Sequence, residues 1–138
     1  MGFFKKRNKK EYKQRSWKIT KECLNLIFEC SKSNFPHEFA GLLRVDDENK
    51  DTISEVVIIP GTISGDSHAI FQMHMRPIDF SIIGTVHSHP SPLARPSDAD
   101  LQLFYGYGKV HIIAAMPYSG KSWKAYDNTG KEIILTVV

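Results

Sequence analysis

The stretch Gly84-Thr85-Val86-His87-Ser88-His89-Pro90, with Ser97-Asp98-Ala99-Asp100 close behind it, narrows the options for this chain more than any other. Ser81 to Val86 is short, apolar and rich in β-branched residues, so it reads as a buried strand. Side chains alternate across a strand, so His87 and His89 leave it on the same face. Pro90 has no N–H for the ladder and ends the strand. Pro90, Pro92 and Pro96 then stiffen the following loop and keep it out of a helix. Ser97 is a good helix N-cap, with Asp98 and Asp100 in the first turn behind it. The loop can thus carry Asp100 back over the two histidines. Taken singly, each component has a plain reading: strands carry His-x-His pairs without metal, and first-turn aspartates complement the helix dipole. Combined at this spacing, two imidazoles and one carboxylate favour a site for one Zn2+, ligated by His87, His89 and Asp100. A fourth place stays open for water, the layout of a catalytic rather than a structural zinc.

His87-x-His89-Pro90, six residues, then Ser97-x-x-Asp100 resembles the signature of the JAMM (MPN+) metalloprotease family. That signature also has a glutamate near the start of the first core strand. Glu38 in Pro36-His37-Glu38-Phe39-Ala40-Gly41-Leu42-Leu43 matches it in type and setting. The resemblance spans about residues 17–138. It implies an α/β fold of the MPN/JAMM (cytidine-deaminase-like) type, a single domain whose mixed β-sheet is flanked by helices. It also implies a catalytic role for Glu38 as general base and for Ser97 in stabilising the oxyanion. For Ser97 the capping and oxyanion roles are compatible, and the sequence does not separate them. Competing zinc motifs fail. His37-Glu38-x-x-Gly41 has Gly41 where His-Glu-x-x-His needs its second histidine, and no Pro-Cys-x-x-Cys of a base deaminase is present.

The other segments agree with a domain of this kind. Ile19 to Ser33 reads as a helix capped by Thr20, with an apolar stripe of Ile19, Cys23, Leu26, Ile27 and Cys30. Strands are expected at Glu38 to Val45, Thr52 to Ile59, His68 to Met75, Val110 to Met116, Ser122 to Tyr126 and Glu132 to Val138, with a helix over Ser97 to Tyr105 ended by Gly106 and Gly108. Cys23 and Cys30 lie too far apart along a helix for a disulfide and read as small core residues, in keeping with a reducing cytoplasm. His37 reads as a polar residue at a strand start, His68 and His74, which bracket a strand, as surface or edge residues, and His111, in an apolar run, as a satisfied buried or half-buried histidine.

Charge marks one further boundary. Lys5, Lys6, Arg7, Lys9, Lys10, Lys13, Arg15 and Lys18 face Glu11 alone, although the whole chain carries only +3. Residues 1–16 therefore read as a flexible basic arm and 17–138 as the metalloprotease domain. A solvated tail is the favoured reading of the arm; the sharper one is a contact with an acidic partner, nucleic acid or an anionic surface, and a nucleic-acid role would rest on charge alone. Mean hydropathy is −0.29, no apolar run approaches the ~20 residues that span a bilayer, and the start lacks an apolar signal core, so no membrane partner and a cytoplasmic location are expected.

What the chain acts on comes from the resemblance. Family members hydrolyse isopeptide bonds between lysine and ubiquitin or ubiquitin-like modifiers ending in Gly-Gly, and the compact form is similar to archaeal and bacterial members. The implied function is a zinc-dependent isopeptidase for ubiquitin-like small modifier proteins. Two alternatives stand beside it: a peptidase processing the C-terminus of a ubiquitin-like sulfur-carrier protein, and a non-catalytic MPN scaffold module. The intact Glu38, His87, His89, Ser97 and Asp100 set argues against the scaffold.

Overall fold

The structure, a computed structural model, describes residues 16–58 and 79–138. The expected strand His68 to Met75 and nearly all of the basic arm lie outside the described residues, as do His68 and His74. In chain order the elements are β1 (Trp17–Ile19), α1 (Lys21–Asn34), β2 (Ala40–Val45), β3 (Thr52–Ile58), β4 (Ile82–Ser88), α2 (Asp98–Gly106), β5 (Val110–Ala114), β6 (Trp123–Tyr126), β7 (Glu132–Ile133) and β8 (Leu135–Val137). The strands form one mixed sheet in the order β7-β6-β5-β4-β2-β3-β1-β8. β1 runs parallel to β3 and β8, and β4 parallel to β5; the other pairings are antiparallel.

Strand β4 is the centre of the design. It lies between β2 and β5, and Gly84 to Ser88 are all buried. A parallel neighbour requires a crossover, which the proline loop and α2 provide. Alternation along β4 and β5 then sorts side chains onto two faces. Val86, Ile112 and Ala114 join a core with Cys23, Leu24, Ile27 and Phe28 of α1. On the other face Ile113 joins Leu103 and Phe104 of α2, together with Ala40 and Tyr126. His87 falls on the α2 face, where its ring lies 6.5 Å from that of Phe104. Gly84 allows the two parallel strands to approach, since a Cβ there would overlap the Val110 carbonyl oxygen and lie 2.6 Å from its carbon.

Three details differ from the sequence reading. Ile19 belongs to β1, not to the helix: Trp17-Lys18-Ile19 alternates apolar and polar in the period of a strand, and α1 starts only after the cap at Thr20, whose side chain accepts from the Cys23 N–H. The buried face of α1 is Cys23, Leu24, Ile27, Phe28 and Ser31, whereas Leu26 is 42% exposed. Ser31 enters this face because its hydroxyl is satisfied by the Ile27 carbonyl at 2.7 Å. Finally, the expected strand Glu132 to Val138 is broken at Ile134 into β7 and β8, which occupy opposite ends of the sheet order. One residue bridges these two ends, so β7 and β8 approach within about 7 Å. The sheet therefore curls nearly into a ring, closed by covalent chain rather than by a ladder. Cys23 and Cys30 are both free thiols, as expected.

Candidate metal centre

The expected ligands meet at the end of β4. His87 is the penultimate residue of the strand and wholly buried; His89 follows it, partly exposed. The strand geometry persists one residue past Ser88, because the His89 N–H donates to the Ala114 carbonyl of β5 at 2.8 Å. Both rings consequently project to one side, with Nε2 atoms 3.2 Å apart. Asp100 arrives from above through the start of α2. Ser97 and Asp100 form a reciprocal capping box: the Asp100 N–H donates to the Ser97 hydroxyl at 3.2 Å, and the Ser97 N–H donates to Asp100 Oδ2 at 2.9 Å. The cap thus orients the carboxylate as well as starting the helix. Asp100 Oδ1 lies 3.1 Å from His87 Nε2, and Oδ2 3.1 Å from His89 Nε2.

These spacings fit a tetrahedral cation. Zinc bonds of ~2.0 to 2.1 Å set neighbouring ligand atoms about 3.3 Å apart along the edges of a tetrahedron. The hydrogen bonding of His89 points the same way. Its Nδ1 faces the Leu93 carbonyl at 3.0 Å, and a carbonyl only accepts, so Nδ1 carries a proton, and in the neutral ring Nε2 is left with its lone pair. That lone pair faces a carboxylate and a second imidazole, an arrangement a shared cation stabilises. Among the described residues His87, His89 and Asp100 are the group of three or more side chains able to hold a metal ion. Electrostatics couple them tightly. Burial pushes the Asp100 carboxyl up, but hydrogen bonding to His87 and His89, the charge of His87 and the Ser97 N–H hold it far below the usual carboxylate range. Burial likewise depresses His89, yet Asp100, the Leu93 carbonyl and the charge of Glu38 leave it raised overall.

Glu38 sits half-buried just before β2. Its neighbour Phe39 is clamped to β4: the Phe39 N–H donates to the Ser88 hydroxyl at 2.8 Å, and the Ser88 N–H donates to the Phe39 carbonyl at 2.9 Å. Ser88 lies between the two histidines, so this clamp holds Glu38 beside them, where its charge acts on His89. Ser97 is exposed on the site's rim.

The sequence reading missed the supports behind these residues. Tyr118 is 4% exposed, and its hydroxyl donates to the His89 carbonyl at 2.8 Å. Its φ of 59° is the left-handed region, unusual for an aromatic residue, and the Ala115 carbonyl accepts from its N–H at 2.8 Å. His111 on β5 is fully buried as expected, but its partners were not foreseen. Nε2 donates to the Gly108 carbonyl at 3.1 Å, leaving Nδ1 to accept from the Thr85 hydroxyl at 2.7 Å. The ring stacks on Phe104, centroids 4.5 Å apart, one turn beyond Asp100. His111 thereby joins the strand that carries the histidines to the helix that carries the aspartate. Burial pushes its pKa down to about 4, so it is neutral at physiological pH.

Residues 20–126 match the family described as prokaryotic homologs of the JAB domain. The chain belongs to the JAMM/MPN family. A "probable metalloprotease" from Haloferax volcanii is 39% identical over 120 residues, covering 82% of this chain and 74% of that protein. A JAB1/MPN domain protein from Archaeoglobus fulgidus is also 39% identical, with a TM-score of 0.71, covering 91% of this chain and 100% of its own. A structure described as a metalloprotease-like zinc site in the proteasome and signalosome superposes with a TM-score of 0.70 at 39% identity, covering 90% of this chain and 99% of that one. The α/β architecture read from the JAMM resemblance is thus the one observed, a mixed sheet with two helices among the described residues. No helix among the described residues is long and apolar enough to cross a membrane.

Proposed function

We propose that this JAMM-family protein is a zinc-dependent isopeptidase that removes ubiquitin-like small modifier proteins, through their Gly-Gly tails, from lysine side chains. The observation that carries the reading is the convergence of His87 Nε2, His89 Nε2 and the Asp100 carboxylate within 3.1 to 3.2 Å of one another, with Glu38 next to Phe39, whose N–H is held by Ser88 between the two histidines. His87, His89 and Asp100 hold the Zn2+. Bound there, the ion supplies Lewis acidity and brings the pKa of a bound water towards neutrality. Glu38 is the general base: its carboxylate takes a proton from the attacking water and hands it to the lysine amine as the C–N bond breaks. The Ser97 hydroxyl accepts the capping bond through its oxygen, which leaves its own proton available to the developing oxyanion. Tyr118 and the Leu93 carbonyl keep His89 from turning.

The choice of modifier rests on the family resemblance, and a glycine tail suits it because its backbone passes a narrow channel without side-chain hindrance. Processing of a linear C-terminal extension on a ubiquitin-like sulfur carrier would use the same residues. A non-catalytic scaffold would need none of them, and the complete set weighs against it. A panel of ubiquitin-like conjugates and linear fusions, incubated with and without a chelator, separates these readings. Glu38→Gln should lower turnover by about two to four orders of magnitude at matched zinc content. Hydrolysis within a few-fold of wild type would show Glu38 to be structural and the mechanism wrong.

A further inference from the structure

On the far side of the proline loop lies a groove of about 280 Å³, lined among others by Pro92, Arg95, Ala115, Lys121, Trp123 and Lys124. Two hydrogen bonds of His89 tie its lining to the metal centre. Its wall contains Leu93, whose carbonyl accepts from His89 Nδ1 at 3.0 Å. Its floor contains Ala115, next to Ala114, whose carbonyl accepts from the His89 N–H at 2.8 Å. The wall is rigid as well, because Tyr126 on β6 donates its hydroxyl to the Ala94 carbonyl at 2.6 Å.

The groove is lined by three cations and no carboxylate. Lys124 is paired with Glu132 at 3.3 Å, but among the described residues neither Arg95 nor Lys121 has an ion-pair partner. Trp123 commits its indole N–H to the Gly120 carbonyl at 3.2 Å, so the ring offers an apolar flank rather than a donor. Two uncompensated cations beside an aromatic wall, one hydrogen bond from a metal ligand, suit an anionic chain that continues out of the reaction site.

We propose that this groove binds an acidic stretch of the polypeptide substrate flanking the bond that is cut, and so selects substrates by local charge. The inference rests on the peptidase reading above for the identity of its occupant. An acidic side chain meets Arg95 and Lys121, while its aliphatic stem packs on Trp123.

The test is binding to the zinc-loaded full-length protein, followed by fluorescence anisotropy of a labelled eight-residue peptide with four glutamates and of its glutamine counterpart. Trp123 supplies a local signal, since the other tryptophan, Trp17, is 7% exposed. The glutamate peptide should bind about ten-fold more tightly than the glutamine peptide and quench Trp123, and added salt should weaken it. Lys121→Glu or Arg95→Glu should each weaken it about five-fold. Lys50→Glu, the same charge change in the exposed turn before β3, should not. Equal affinity for the two peptides, an equal effect of Lys50→Glu, or displacement of the glutamate peptide by an oligothymidylate of the same length would overturn the proposal. Acid-selective binding without cleavage of any conjugate would support the groove and count against the peptidase reading alone. Cleavage without preference for acidic flanks would do the reverse.

Discussion

Replacing Gly84 by alanine should unsettle the strand pair that carries the metal centre. The added Cβ would overlap the Val110 carbonyl oxygen and lie 2.6 Å from Val110 C and 3.2 Å from Val110 N. All three are main-chain atoms, so no rotamer change relieves the clash, and β4 and β5 must separate where Gly84 pairs with Val110. Overpacking typically costs about 1 to 3 kcal/mol. Losing about two ladder hydrogen bonds in this buried region adds roughly 1 kcal/mol each. The total, about 4 kcal/mol, is a large part of the stability of an ordinary domain. At about 4 °C per kcal/mol for a domain of this size, the midpoint of thermal unfolding should fall by about 15 °C. Circular dichroism against temperature measures it, with Gly120→Ala as the control. A Cβ at Gly120 meets nothing within 4 Å, and its φ of 58° leaves only the local cost of a left-handed alanine, about 1 kcal/mol. Because His87 lies three residues along the same strand, zinc affinity should fall as well. A midpoint within about 3 °C of wild type would show that the strands part cheaply and that the close approach at Gly84 does not fix the site.

Other perturbations give further outcomes. Zinc loading should yield one ion per chain and raise the unfolding midpoint, by about 2.7 kcal/mol of stability at a hundred-fold excess over the dissociation constant. Chelation should reverse the gain, and Asp100→Ala, read by metal analysis, should abolish both. His111 has a folded pKa of about 4 against about 6.5 unfolded, so the unfolded chain binds the extra proton between those values and stability falls as pH drops through that window. The loss amounts to about 3 kcal/mol, and His111→Gln should flatten that part of the stability profile. A chain starting at Trp17 retains β1 and its pairing with β8, so it should keep its thermal midpoint within about 2 °C and its hydrolytic rate if the basic arm serves only an acidic partner.

The parts of the centre that sequence makes legible are those set by local chain geometry. His87 and His89 share a face because strands alternate, and Ser97 and Asp100 meet because a capping box joins residues three apart. The supports behind them are not local. Tyr118 reaches His89 across the sheet, and His111 meets Thr85 only because β4 and β5 run parallel in one register. Nothing in the residue types around Tyr118 announces a left-handed backbone. Likewise, the run from Glu132 to Val138 reads as one strand because its residues suit one. The break at Ile134, 87% exposed, arises from curvature of the whole sheet, which no window of the chain contains.

That curvature has a consequence for how the molecule comes into being. β1 pairs with β8, Trp17 beside Leu135, so one side of the ring joins the first of the described strands to the last. During synthesis β1 and α1 leave the ribosome early, yet β1 has only β3 to lean on until β8 emerges. Contacts so distant in the chain are slow to form, because the intervening loop must close before they yield any stabilisation. Strand β4, which leads into His87 and His89, and helix α2, which carries Asp100, both precede β8 in the chain. A nascent chain can therefore present its ligand set while the ring around it is still open, and the ring closes only when β8 slots in against β1.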